Sequence, residues 1–276
     1  MADAYAAVCN DRHWDPTPTS PITFAVEAEH DDVLREARQE LAARAAFNFG
    51  VAIDNLKGMA ALLGEPEIVF AVAAQARAAI ENAALCFHFA EPGISSLKAL
   101  ARTCNADMIG IHQLRMVGER LPEPQRTQQL AVVAARRYQL MHRLNAHGLT
   151  LTKPTQDRTQ PTVRGHVSPS ISSLIAAITE PDRLGRNVYS YLSAVAHGYM
   201  HGLSEYVAVT EWDDGPLARG NVTVTPQQEA VRYGSVPLIM HRAADRLFQQ
   251  FGWPQDRVAL PANNALVVWK QVGGWP

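Results

Sequence analysis

The sequence predicts an all-α protein, a multi-helix bundle of about seven or eight helices. Long segments repeat apolar residues at three- and four-residue spacing, which is typical of amphipathic helices. Capping residues, prolines and glycines stand at the ends of these segments. β-branched runs flank a turn-rich centre in one region, which predicts one small β-hairpin near residues 207–225.

The first half of the chain predicts a lead-in followed by four helices. Residues 1–20, rich in Asp, Thr and Pro, predict a flexible N-terminal arm, and the next segment, PITFAVEA, predicts a short strand or an extended lead-in. The short connections between the four helices predict antiparallel neighbours. The helices are expected at Asp31–Gly64, 65–93, Ser95 to about Arg120 and Pro124 to about Ala146.

Residues 21–276 are expected to form a single helical domain, with a long loop at about 148–168 dividing two helical layers. A loop of this length is expected to be a lid, a binding loop or a boundary between layers. The remaining segments are a short helix in SISSLIAAITE, one long helix over 182–209, the hairpin, a helix over 226–251 and a tail rich in tryptophan.

Composition indicates an ordinary globular protein. The chain has 276 residues, of which 47% are hydrophobic, enough to bury one large core or two modest ones. Its three cysteines, Cys9, Cys86 and Cys104, follow no metal or redox spacing, which favours a reduced cytoplasmic location over a secreted disulfide scaffold. No apolar run approaches the ~20 residues that cross a bilayer, so we expect no membrane partner.

The net charge of −2 is unevenly distributed. Residues 124–179 carry seven basic side chains and one acid, a local balance of +6 that leaves −8 for the rest of the chain. This basic segment is expected either to attract RNA or another phosphate-bearing ligand or to dock on the acidic N-terminal third of the chain. Within it, Arg136 and Arg143 are candidate ligand-binding residues.

Two histidines and two glycines stand in the segment YSYLSAVAHGYMHGL, residues 189–203. On a helix, Leu192, Val195, Ala196, Tyr199 and Leu203 would form an apolar core-facing stripe. Ala194, Gly198 and Gly202 would form a stripe of small residues that lets another backbone come close. Ser193, His197 and His201 would lie on a third side, which we expect to face the interior or a cleft.

Histidines four residues apart on a helix are able to share a metal ion. The zinc-protease pattern requires a glutamate after the first histidine, and Gly198 stands there, so that class is excluded. No cofactor-binding loop is found, and we expect no cofactor and no metal ligands. A hydrogen-bonding partner for His197 is expected instead, and Arg77 and Glu81, one turn apart in an alanine-rich helix, are the candidates.

The chain resembles a loose set of uncharacterised bacterial, actinobacterial-type, helical proteins. In these proteins a helix with the pattern Arg-x-x-x-Glu is followed by a helix with the pattern Tyr-x-x-Leu-Ser-x-x-x-His-Gly. The residues that carry the resemblance are Arg77, Glu81, Tyr189, Leu192, Ser193, His197 and Gly198. The resemblance implies kinship and not an activity.

The chain is also similar to HEPN domains, helical bundles of bacterial toxins, RNA-cutting nucleases and antiviral systems. Their pattern is an arginine, four to six residues, then a histidine, and RYQLMH places Arg137 and His142 at this spacing. The resemblance implies a homodimer that binds and cuts RNA without a metal. The histidine would then handle the proton of the 2′-hydroxyl, and the arginine would stabilise the charge on the phosphate. His197 lacks an arginine at this spacing.

Three functions therefore stay open at this point. The first is a HEPN-like protein acting on RNA or nucleotides, of the defence or toxin type, with His197, Arg137, His142 and Glu81 as candidate catalytic residues. The second is a non-catalytic binding or regulatory module with a pocket near His197 and Glu81. Its ligand-binding candidates are Arg77, Tyr189, Ser193 and His201. The third is a metal-dependent enzyme that uses His197 and His201.

Overall fold

The computed structural model describes residues 1–65, 68, 70–152, 162–180, 185–204, 206–211, 219–222 and 224–274. The all-α class is confirmed. Within these residues the chain forms twelve helices, more than the seven or eight expected, and two short strands. No helix in the described ranges is long and apolar enough to cross a membrane.

The elements follow one another along the chain as α1 Ala2–Asp11, α2 Pro21–Glu27, α3 Asp32–Leu63, α4 Phe70–Phe89, α5 Ser96–Gly118, α6 Gln125–Ala146, α7 Ile171–Ile178, α8 Gly185–Ala196, α9 Met200–Leu203, β1 Val207–Glu211, β2 Arg219–Val222, α10 Pro226–Tyr233, α11 Ser235–Phe251 and α12 Asp256–Gly273.

Helices with clear local end signals lie where the sequence predicts them. Helices α3, α5 and α6 begin and end within two residues of the expected positions. The hydroxyl of Ser95 accepts the Lys98 N–H and so caps α5. Helix α4 begins later than expected, at Phe70.

Both ends of the chain are more helical than the sequence predicts. Residues 2–11, expected as part of an arm, form α1, in which Tyr5, Val8 and Cys9 are buried. The expected strand or lead-in is helix α2, and much of the expected tail is helix α12. The helix expected over 226–251 is divided at Gly234 into α10 and α11.

The strands β1 and β2 pair antiparallel, Val207 opposite Val222. The segment that was expected to supply their turn, residues 212–218, lies outside the described part of the chain. In the loop expected at 148–168, Leu151 and Val163 form an isolated antiparallel bridge, and residues 153–161 lie outside the described part.

The chain divides into two compact units. The smaller unit comprises Ile22–Ala43 and Pro92–Pro169, and the larger unit comprises the remaining residues, Met1–Pro21, Arg44–Glu91 and Ser170–Pro276. Only a single helical domain was expected after residue 20. The division follows packing between segments that are distant in the sequence, which no local pattern of residues reports.

In the smaller unit, α5 packs against α6, and the first part of α3 adds Ala37 to their apolar core. Buried Asn105 connects this core to the loop, because its side-chain oxygen accepts the Val163 N–H at 2.8 Å and its amide donates to the His166 carbonyl. Burial raises the pKa of Cys104 to about 12, so this thiol is a packing residue at neutral pH.

In the larger unit, α4 lies at the centre and packs against α7, α8 and α11. This position follows from its composition, since small side chains let neighbouring helices come close. Its fully buried residues are Ala73, Ala76, Ala79, Ile80, Ala83, Ala84 and Cys86. Edge-to-face contacts among Tyr5, Phe49 and Phe248 add an aromatic layer that includes α1.

Candidate functional site

Helix α4 carries an arginine and a glutamate on its one half-exposed side. Arg77 Nε donates to Glu81 Oε1 at 2.8 Å, and the two side chains are 23% and 29% exposed. The residues lie one helical turn apart, so they share a face of α4. The buried face of this helix is made mainly of small apolar residues, and the pair is therefore held beside the core.

Helix α8 packs on α4 and brings a tyrosine to the same carboxylate. The Tyr189 hydroxyl donates to Glu81 Oε1 at 2.9 Å, and the Arg77 guanidinium lies 5.8 Å from the centre of the Tyr189 ring. One carboxylate oxygen thus accepts two hydrogen bonds and fixes both neighbours.

Helix α8 ends at Ala196 because the chain turns at Gly198, which has a φ of +69°. The Gly198 N–H donates to the Val195 carbonyl at 3.0 Å, and the Tyr199 N–H donates to the Ala194 carbonyl at 2.8 Å. These two bonds form a Schellman motif, a common way for glycine to end a helix. The single long helix predicted for this region is therefore wrong.

The turn places His197, the last residue before the glycine, next to α4. His197 Nε2 lies 2.6 Å from Arg77 Nη1, and the histidine is exposed. An arginine nitrogen only donates, so Nε2 accepts, and in this arrangement the ring is the neutral tautomer with its proton on Nδ1. We call Arg77, Glu81, Tyr189 and His197 the His197 cluster.

The electrostatics of the cluster favour a permanently charged arginine and a protonated tyrosine. Burial acts to lower the pKa of Arg77, but the hydrogen bond and negative charge of Glu81 outweigh it and raise the pKa above its usual value. Burial, followed by the hydrogen bond to Glu81, raises the pKa of Tyr189. At neutral pH, Tyr189 therefore stays a donor and holds Glu81 in place.

Gly202 provides the close approach that the sequence predicted for both glycines. A Cβ at Gly202 would lie 2.7 Å from the backbone nitrogen of Val195 and 2.8 Å from the backbone carbonyl carbon of Ala194. Helix α9 therefore folds back against the end of α8. Around Gly198, in contrast, a Cβ would meet no atom within 4 Å, so this glycine is required for its backbone conformation.

Because α8 ends at Ala196, the apolar stripe of side chains predicted for one long helix is not buried along its whole length. Leu192 and Val195 are buried as expected, but Ala196 and Tyr199, which follow at the helix end, are exposed. Ser193 lies one turn before His197, and its backbone carbonyl accepts the His197 N–H at 3.0 Å.

The third alternative, in which His197 and His201 share a metal ion, depended on one continuous helix, and that premise is wrong. His201 lies on α9, and the Tyr199 ring has contacts with both histidines. Within the described ranges, no three His, Cys, Asp or Glu side chains gather closely enough to hold a metal ion.

The histidine and arginine of the HEPN-type spacing lie on α6. Arg136, Arg137 and His142 are all exposed. Five residues correspond to about 500° of helical rotation, so Arg137 and His142 point about 140° apart around the helix axis. The structure therefore does not bring this pair together.

Part of the basic segment is neutralised by acids of the N-terminal third. Arg143, a predicted ligand-binding residue, lies 3.3 Å from Glu40 and 3.7 Å from Glu36. His147 lies 3.2 Å from Asp31. The basic segment was expected either to attract a phosphate-bearing ligand or to dock on the acidic N-terminal third of the chain. The contacts of Arg143 and His147 are of the second kind. Two further basic residues, Lys153 and Arg158, lie outside the described part of the chain.

Sequence reasoning assigned Tyr199 to the core, yet its side chain is 56% exposed and its ring lies next to His197. Gly198 is the sequence signal that could have indicated the exposure of Tyr199. If the helix ends at this glycine, Tyr199 no longer lies on the apolar stripe.

Comparison with known proteins gave no relative. No protein-family model, no curated protein and no solved structure matches this chain.

Proposed function

We propose that the protein is a HEPN-like, metal-independent protein that acts on RNA, with His197 and Arg77 as its catalytic residues in place of His142 and Arg137. The observation that carries the proposal is the 2.6 Å contact between His197 Nε2 and Arg77 Nη1 at an exposed position. A histidine beside an arginine supplies the base and the phosphate-binding cation that cleavage by the 2′-hydroxyl requires.

The support for Arg77 as the phosphate-binding group is its fixed orientation. Glu81 accepts from Nε, so the guanidinium plane is set, and Nη1 lies beside the exposed His197. A planar guanidinium group is able to donate hydrogen bonds to two oxygens of one phosphate. Tyr189 and Glu81 are positioning residues in this proposal, because they hold Arg77.

The proposed reaction begins with an exchange of hydrogen bonds. Phosphate oxygens accept from the Arg77 Nη groups, which frees the lone pair on His197 Nε2. Nε2 takes the proton of the 2′-hydroxyl, the 2′-oxygen bonds to phosphorus, and the bond from phosphorus to the 5′-oxygen breaks. His197 then returns the proton to the 5′-oxygen, so the products are a 2′,3′-cyclic phosphate and a 5′-hydroxyl.

The test is cleavage of a labelled single-stranded RNA by pure protein in EDTA, with the products identified by their ends. His197→Ala is expected to lower the rate by about 100-fold or more, as for loss of a general base. The matched control is His142→Ala, which removes an exposed histidine outside the cluster and is expected to leave the rate unchanged.

Cleavage that survives His197→Ala and is lost in His142→Ala would transfer the function to α6 and refute the assignment. RNA with 2′-deoxyribose at the cut site is expected to resist cleavage, since it lacks the nucleophile. A homodimer, which the HEPN resemblance implies, is part of the proposal and is tested by sedimentation equilibrium of the full chain.

A second candidate function is a non-catalytic binding module that uses the same cluster. It is favoured by the neutralisation of Arg77 by Glu81 and by the satisfied hydrogen bonds of the cluster. Under this function, RNA or nucleotides bind and remain intact, and Arg77→Lys weakens binding because a single ammonium replaces the planar fork.

A further inference from the structure

Three exposed aromatic rings lie in a row at the turn between α8 and α9. The ring centres of His197 and Tyr199 are 5.8 Å apart, and those of Tyr199 and His201 are 6.0 Å apart with an interplanar angle of 19°. All three residues are exposed, and Tyr199 is 56% exposed. The row begins at the histidine that contacts Arg77.

The Tyr199 ring is not needed to hold this turn. The residue follows the helix-ending glycine, a position whose side chain frequently packs back on the helix. Here the backbone makes the structural contact, since the Tyr199 N–H donates to the Ala194 carbonyl at 2.8 Å, while more than half of the side chain faces solvent. The ring is therefore left accessible to solvent beside His197.

The row is held by close backbone packing. Gly202 allows α9 to lie against the backbone of Ala194 and Val195, and this contact keeps His201 alongside Tyr199. The three rings are therefore carried by the end of α8, the turn after Gly198 and α9, which packs against α8.

We propose that Tyr199 and His201 stack an unpaired nucleobase while Arg77 holds the adjacent phosphate next to His197. The inference rests on the proposed function for its ligand class and adds that the substrate is single-stranded. Base faces stack on tyrosine and histidine rings in single-stranded recognition, and a duplex offers no free base face along its length. Aromatic rings close to a guanidinium suit a nucleotide, whose flat base and charged phosphate are covalently joined.

The test is binding of a fluorescein-labelled 2′-O-methyl octanucleotide, which cannot be cut because it lacks the 2′-hydroxyl. Tyr199→Leu is expected to weaken binding by about 5- to 100-fold, the range for loss of one stacked base. Tyr199→Phe is expected to retain binding, because it keeps the ring face. The matched control is Tyr138→Leu, which removes a tyrosine that is 73% exposed on α6 and is expected to bind like the wild type.

A duplex of the same sequence is expected to compete poorly with the single strand. Equal binding by Tyr199→Leu and the wild type, or equal competition by the duplex, overturns the inference. Circular dichroism of each variant shows that the fold is intact, and Tyr199→Phe supports the stacking role only if it binds where Tyr199→Leu does not.

The outcome also separates this inference from the proposed cleavage. If Tyr199→Leu loses binding but no RNA is cut by the wild type, stacking stands and catalysis at His197 fails. If RNA is cut in a His197-dependent way but Tyr199→Leu keeps its KM and its affinity for the uncleavable probe, catalysis stands and stacking fails.

Discussion

Gly198→Ala is expected to destabilise the larger unit by about 1–2 kcal/mol, the cost of a left-handed conformation for a residue with a Cβ. Gly198 has a φ of +69°, and a Cβ there would meet no atom within 4 Å. Steric overlap therefore adds nothing, and the whole effect comes from the backbone. Gly198→Asn is expected to cost less, because asparagine tolerates this conformation.

The assay is urea unfolding followed by far-ultraviolet circular dichroism. A loss of 1.4 kcal/mol corresponds to about a tenfold change in the unfolding equilibrium. The matched control is Gly110→Ala, in the middle of α5, where a Cβ also meets nothing within 4 Å. That change is expected to stabilise the chain by about 0.5–1 kcal/mol, because alanine is the better helix former.

The two substitutions are chemically identical and differ only in the backbone conformation they meet, so opposite signs are the decisive result. If Gly198→Ala is as stable as the wild type or more stable, the helix continues through residue 198 as the sequence pattern predicts. The Schellman motif and the position of His197 against Arg77 would then be refuted together.

Two further outcomes follow from the structure. Gly202→Ala is expected to destabilise the chain by more than Gly198→Ala, because its Cβ would lie 2.7 Å from the α8 backbone and overlap it. The same urea assay measures the difference. An equal or smaller loss of stability would show that α9 does not pack against α8 at this residue. The pKa of Asp31 is lowered, chiefly because its carboxylate accepts the Leu34 N–H. A lowered folded-state pKa gives stability that is present above the ordinary value of 3.8 and is lost as the pH falls through the folded value. Asp31→Asn is therefore expected to destabilise the smaller unit near pH 7 and to differ progressively less from the wild type as the pH falls below 3.8 and through the folded-state pKa, as measured by unfolding across pH. A constant difference at all pH values would contradict this assignment.

The candidate site was predictable in its members but not in its geometry. Arg77 and Glu81 stand out in an alanine-rich helix, and a histidine needs a partner. Of these two candidates, Arg77 contacts His197, and Glu81 contacts Arg77. The 2.6 Å contact depends on how α8 packs against α4 and where α8 ends, and both are properties of the assembled core.

The sequence by itself determined the all-α class and the limits of α3, α5 and α6, because capping residues and apolar periodicity act within a few residues of one another. Tertiary structure alone decided that α1 buries Tyr5, Val8 and Cys9, that the chain divides into two units, and that the His197 cluster forms. Burial depends on partners that are distant in the sequence. The break at Gly198 lies between these cases. Glycine is tolerated inside a helix as well as at its end, and Gly202 packs against the α8 backbone only when the chain turns.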